Sequence, residues 1–147
     1  MYNESNFIKI RNLIDELVKR YNSVNPYILA VNLDIFIQET NINPDYFKAR
    51  IYLIDDNLGI MINENFDLKT KKYLLAHELG HALLHRDCIN LYGDNGIASE
   101  RCEYEANLFA LELMSRNLYY DFSKFNTDEL QLIIDSNLKN SRSVANE

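Results

Sequence analysis

Two histidines four residues apart, with a glutamate beside the first, constrain this chain more than anything else in it. They lie in Ala76-His77-Glu78-Leu79-Gly80-His81, inside a run that reads as helix from about Thr70 to His85. Residues four apart share one helix face, with Cβ atoms about 5–6 Å apart. Two imidazoles at that spacing can hold one Zn²⁺ at about 2.0–2.1 Å each. Glu78 lies about 100° round from His77, beside the metal, where it can take a proton from a zinc-bound water. Leu75, Ala76, Leu79, Ala82 and Leu83 form an apolar stripe, and Leu74 and Leu84 flank the histidines on the other side. A helix apolar nearly all round is buried, and buried polar groups need partners. A metal supplies them; the plainer reading is a pair of core histidines satisfied by hydrogen bonds. Gly80 costs about 1 kcal/mol relative to Ala in mid-helix, which marks a close approach by a neighbouring segment.

The rest of the chain supplies a setting for that helix. Its 147 residues fit a single domain spanning 1–147 with a proper core, and 47% hydrophobic with 25% charged residues is ordinary for a soluble protein. A net charge of −7 argues against direct nucleic-acid binding, which needs clustered Lys and Arg. No apolar run approaches a membrane span, and Met1-Tyr2-Asn3-Glu4 leads into a charged amphipathic segment instead of a signal peptide, so a cytoplasmic location is expected. Cys88 and Cys102 do not form a metal-ligand spacing and are expected as free thiols.

In order, the pattern predicts a helix from Ser5 to about Tyr21 and a short one from Tyr27 to Asn32, with Asn25 and Pro26 at its start. Strands are expected over 33–39, 47–54 and 59–63, the last two joined by a hairpin link at 55–59. The motif helix then starts at Asp67 or Thr70. Ser99 caps a further helix to about Arg116, and Asn126-Thr127 opens the last, through about Leu138; the tail 139–147 is expected to fray. The class is α+β: a small three-stranded sheet packed on the motif helix, with further helices around it.

Catalytic zinc takes three protein ligands and an open position. His85 lies two turns beyond His77, about 12 Å of rise, too far to converge with it. It reads as a helix-end residue serving the dipole. The third ligand is sought in Glu100-Arg101-Cys102-Glu103-Tyr104-Glu105-Ala106-Asn107. On a wheel Glu103 shares the face of Ala106, Asn107, Ala110 and Met114, while Glu105 falls with Glu112 on the outer side. Glu103 is therefore the favoured ligand and Glu105 the alternative. Asn107, one turn after Glu103, can accept a hydrogen bond from the second nitrogen of a ligating histidine.

His77-Glu78-Leu79-Gly80-His81-Ala82-Leu83-Leu84-His85, followed by Glu103-Tyr104-Glu105-Ala106-Asn107-Leu108-Phe109-Ala110, resembles the ImmA/IrrE metallopeptidases. The likeness is strongest from Tyr73 to Met114 and looser from Pro26 to Asn65. It implies a zincin-like, gluzincin-type fold and an endopeptidase with one Zn²⁺, in which His77, His81 and Glu103 are ligands and Glu78 is the catalytic base. It also implies a protein substrate, a helix-turn-helix repressor of a phage or mobile element, and places the strand 59–63 at the cleft edge. Where the family often has Leu-Leu-Met-Pro, this chain has Glu112-Leu113-Met114-Ser115, without the helix-ending proline.

Two other functional classes compete. The domain is either a peptidase, or a zinc-containing regulator that grips its partner without cleaving it, or an accessory component of a mobile element. In a peptidase a further donor is needed at the oxyanion, for which Tyr92, Tyr104, Tyr119 and Tyr120 are the candidates.

Overall fold

The computed structural model describes residues 4–86, 89, 96–116 and 122–145. Among the described residues, five helices and three strands follow in the order α1 (Glu4–Tyr21), α2 (Pro26–Asn32), β1 (Phe36–Thr40), β2 (Ala49–Ile54), β3 (Asn57–Asn63), α3 (Leu68–Leu84), α4 (Gly96–Met114) and α5 (Thr127–Ala145), with a 3₁₀ turn at Phe122–Lys124 before the last helix. This is the α+β architecture the pattern predicts.

Local chemistry sets most of the boundaries. Asn25 accepts from the Tyr27 N–H at 3.0 Å and Pro26 takes the first helical position, so α2 begins where expected. It ends at Asn32 as expected, but the strand expected from 33 begins later. The N–H groups of Leu33 and Ile35 bond back to Leu29 and Ala30, and Asp34 sits at φ 58, so 33–35 close the helix and β1 starts at Phe36. Between β2 and β3 the link is tighter than the five residues predicted. Asp55 and Asp56, both at positive φ, form a two-residue turn whose twist suits a hairpin. Asp67 caps α3 by accepting from Thr70 N–H at 2.7 Å. Asn126 and Glu129 cap α5 reciprocally, at 3.0 and 2.9 Å. That helix continues past Leu138 to Ala145, because no Gly or Pro between them stops it.

β3 is the central strand. β1 pairs with it in parallel (Phe36 opposite Gly59) and β2 antiparallel (Ile51 opposite Ile60). This corrects the placing of 59–63 at the cleft edge: β1 crosses over and covers that side of β3, so β2 is the edge left facing the site. Asn63, fully buried, fixes the loop before β2 by donating to the carbonyls of Ile42 and Phe47 at 2.7 and 2.8 Å. The inner sheet face, with Ile51, Ile60 and Ile62, packs on α3 through Leu75, Ala76 and Leu79.

Helix α3 packs most extensively on α4, which is itself enclosed by α1 and α5. Leu108, Phe109, Ala110, Leu111 and Leu113 are all fully buried. Beyond its first turns α4 is buried on all sides, which overturns the outward placing of Glu105 and Glu112. Glu112 is buried beside Arg11 of α1 at 3.5 Å, and Glu105 packs against the end of α3.

Candidate metal centre

The crossing of α3 and α4 brings the site together. The Nε2 atoms of His77 and His81 lie 3.1 Å apart on α3. Glu103, from the first half of α4, reaches both, its two oxygens 3.1 Å from His77 Nε2 and 2.9 Å from His81 Nε2. Among the described residues these three form the cluster of metal-type donors, with one atom of each within 4.8 Å of the others. A tetrahedral ion at about 2.0–2.1 Å needs neighbouring donors about 3.3–3.4 Å apart. The observed spacing is a few tenths of an ångström tighter, so two imidazoles and a carboxylate fit a zinc-like ion with a slight opening. Glu105, the alternative ligand, is not in the cluster; its carboxylate meets His85 instead.

Gly80 sets how closely the two helices approach. A Cβ there would stand 3.1 Å from the Ala106 Cα and 3.1 Å from the Phe109 Cβ. Neither is the far end of a flexible chain, so α4 itself would have to yield. Gly80→Ala gains about 1 kcal/mol of helix propensity but incurs an overpacking cost of about 1–3 kcal/mol. It should lower stability and, by displacing Glu103, weaken metal binding in a chelator competition. Unchanged metal affinity would show that the clasp does not depend on this approach.

Both histidines have a second contact through Nδ1. His77 Nδ1 donates to Asn107 Oδ1 at 2.8 Å, which leaves Nε2 bare toward the cluster. Asn107 is 3% exposed and sits one turn after Glu103, as its wheel position predicts. Outer-shell partners of this kind fix tautomer and orientation. Asn107→Leu should reduce metal affinity about 10–100-fold, read by the same competition; an affinity equal to wild type would remove Asn107 from the site.

Glu78 lies just outside the donor cluster. Its Oε2 accepts a 3.1 Å bond from the Ile51 N–H of β2. Burial raises its pKa, and the charges of His77 and His81 and the Ile51 bond only partly oppose this. Burial works to lower the pKa of His77, but the Glu103 hydrogen bond and the charges of Glu78 and Glu103 outweigh it and the net shift is upward. Glu103 moves the other way: burial would raise it, but hydrogen bonds and charge from both histidines hold it well below the usual carboxylate range. Without a metal, His77 and Glu103 each favour the charged form of the other. Glu103 remains 43% exposed at its side chain against 3% for His81, so the cluster opens to solvent on the α4 side.

Two contacts were not anticipated. The Ile51 N–H has no side-chain signature and could not be read from sequence. His85, expected to serve the helix end, turns its buried ring onto His81; its position four residues after His81 was the available signal. Of the tyrosines considered, Tyr104 donates to the carbonyls of Phe125 and Ser123 at 2.9 and 3.3 Å and ties α4 to the segment before α5. Tyr92, Tyr119 and Tyr120 lie outside the described residues.

A small sheet laid on one helix of a crossed pair, with His77, Glu78 and His81 on the first helix and Glu103 on the second, defines a metallopeptidase type of domain. The model of peptidase family M78, described as the IrrE N-terminal-like domain, matches residues 30–131, and the chain belongs to that family. It is similar to an uncharacterized immunity region protein 2 of Bacillus phage phi105, with 32% identity over 115 residues, 76% of this chain and 72% of the relative. It is also similar to the metallopeptidase ImmA of Bacillus subtilis (strain 168), with 26% identity over 107 residues, 71% of this chain and 62% of that one. No helix among the described residues is long and apolar enough to cross a membrane.

Proposed function

We propose that this chain is a zinc-dependent endopeptidase that cleaves a regulatory protein, a helix-turn-helix repressor of a phage or mobile element, in the cytoplasm. The observation that carries the reading is the convergence of His77, His81 and Glu103, with Glu78 tethered beside them to the edge strand of a sheet. When bound, zinc supplies a Lewis acid and brings the pKa of water toward neutrality. His77 and His81 present Nε2 and Glu103 its carboxylate as the ligands. Glu78, off the ligand set, takes the proton of the attacking water and passes it to the leaving amide nitrogen.

Strand β2 is the place for an extended substrate. Ile51 N–H turns away from β3 toward Glu78. The alternation of an antiparallel ladder therefore turns the backbone groups of Ala49 and Leu53 the same way. A peptide added along this edge runs past the metal ligands with its backbone held by hydrogen bonds. Charge supports a DNA-binding partner: a chain of net charge −7 attracts a basic repressor and repels nucleic acid. The immunity-region name of the phage relative supports a setting in a phage or mobile element.

The test is to incubate the zinc-loaded protein with the repressor encoded beside it, with and without chelator. Cleavage in the zinc arm alone is expected. Tight binding without cleavage in either arm would leave a regulator and remove the peptidase.

A further inference from the structure

The proposed reaction does not use His85, yet this residue is buried at the end of α3 and joined to the site on one side and to α4 on the other. Its Nδ1 lies 3.3 Å from His81 Nδ1, with the two rings tilted 53° and their centroids 5.5 Å apart. Its Nε2 lies 3.1 Å from Glu105 Oε1, and Arg101 Nε stands 3.7 Å from that same oxygen.

With a metal on His81 Nε2, one placement of protons satisfies these contacts. His81 Nε2 faces His77 and Glu103, so it must present a lone pair to a metal, and the His81 proton sits on Nδ1. That proton points at His85 Nδ1, which must then accept. The His85 proton is left on Nε2, where it donates to Glu105. The reverse tautomer of His85 would set two N–H groups against each other and leave Glu105 facing a lone pair.

We propose that His85 is a positioning residue. With Glu105 it forms a relay from α4 that fixes the tautomer and ring orientation of His81, as Asn107 does for His77. The inference rests on the reading that both Nε2 atoms bind the metal. Each ligating histidine is then held from behind by a side chain whose anchor lies on α4, Asn107 for one and Glu105 through His85 for the other. Metal affinity and helix packing are coupled through the same contacts.

The test compares three variants by zinc affinity, in competition with a chromophoric chelator, and by the visible spectrum of the cobalt(II)-loaded protein. His85→Leu keeps the bulk but removes the acceptor; it should weaken zinc binding about 10–100-fold and alter the cobalt spectrum. His85→Asn can place Oδ1 where Nδ1 stands, and should restore most of the affinity and the wild-type spectrum. Glu105→Leu cuts the outer link while leaving His85, and should show an intermediate loss. Glu105 lies on a different helix, so it decides the matter if His85→Leu does not fold. Wild-type affinity and spectrum in His85→Leu would overturn the relay, as would wild-type behaviour of Glu105→Leu if His85→Leu cannot be made. Equal losses in His85→Asn and His85→Leu would also overturn it. A wild-type protein that takes up one zinc but cleaves nothing removes the peptidase and leaves the relay standing. A wild-type protein that takes up neither ion removes both.

Discussion

Replacing Glu78 with glutamine should abolish nearly all hydrolysis while leaving the metal in place. Glu78 is not among the three converging donors. Glutamine can still accept the Ile51 N–H through its amide oxygen, so β2 and α3 keep their tie. What is lost is the ability to take and return a proton. General acid–base groups contribute about 10²–10⁴-fold, and kcat should fall by that range. The zinc content should stay at one per chain and the thermal midpoint close to wild type. Single-turnover cleavage of the repressor, read beside a metal analysis of the same sample, checks both halves. A variant that cleaves at the wild-type rate would take the proton transfer away from this residue.

Removing the metal should lower the melting temperature, and by more at pH 8 than at pH 6. In the metal-free protein the pKa of His77 is raised, so its contribution is fully present below about pH 6.5 and is lost as pH climbs through the folded value. Glu78, also raised, acts in the same direction. Glu103 is lowered; its contribution is present above about pH 4.3 and lost only in strong acid. The metal-free pair is therefore most favourable between about pH 4.5 and 6.5 and fades toward alkaline pH. Zinc competes with the proton on His77, so its own stabilisation grows as that proton leaves. At a hundredfold to a thousandfold excess over Kd, zinc contributes about 2.7–4.1 kcal/mol. For a chain of this length that is roughly 5–16 °C, at about 2–4 °C per kcal/mol. Melting curves with zinc and with chelator across this pH range give the difference directly. A difference that is flat with pH would show that no histidine proton is displaced.

These expectations trace to features of unequal legibility. The four-residue spacing of His77 and His81 could be read because a helix repeats every 3.6 residues whatever surrounds it. Asn107 could be read one turn from Glu103 for the same reason. The capping residues Asn25, Asp67 and Asn126 each bond a backbone group two or three positions away, which is also local information. The edge of the sheet could not be read. Whether β2 or β3 faces Glu78 depends on where β1 crosses over, and the alternating pattern of a strand does not name its neighbours. Glu105 shows the same limit. A wheel divides a helix into inner and outer faces, but α4 has α1, α3 and α5 around it, and a carboxylate placed outward on paper lies against His85.

The sequence by itself determined which side chains can meet along α3 and which helix must bring the third donor, since both follow from regular spacing within one element. Only the tertiary structure decided how α3 and α4 cross at Gly80, which backbone N–H holds Glu78 and what stands behind His81. Those are contacts between elements distant in the chain, set by packing across the core, and no local periodicity encodes them.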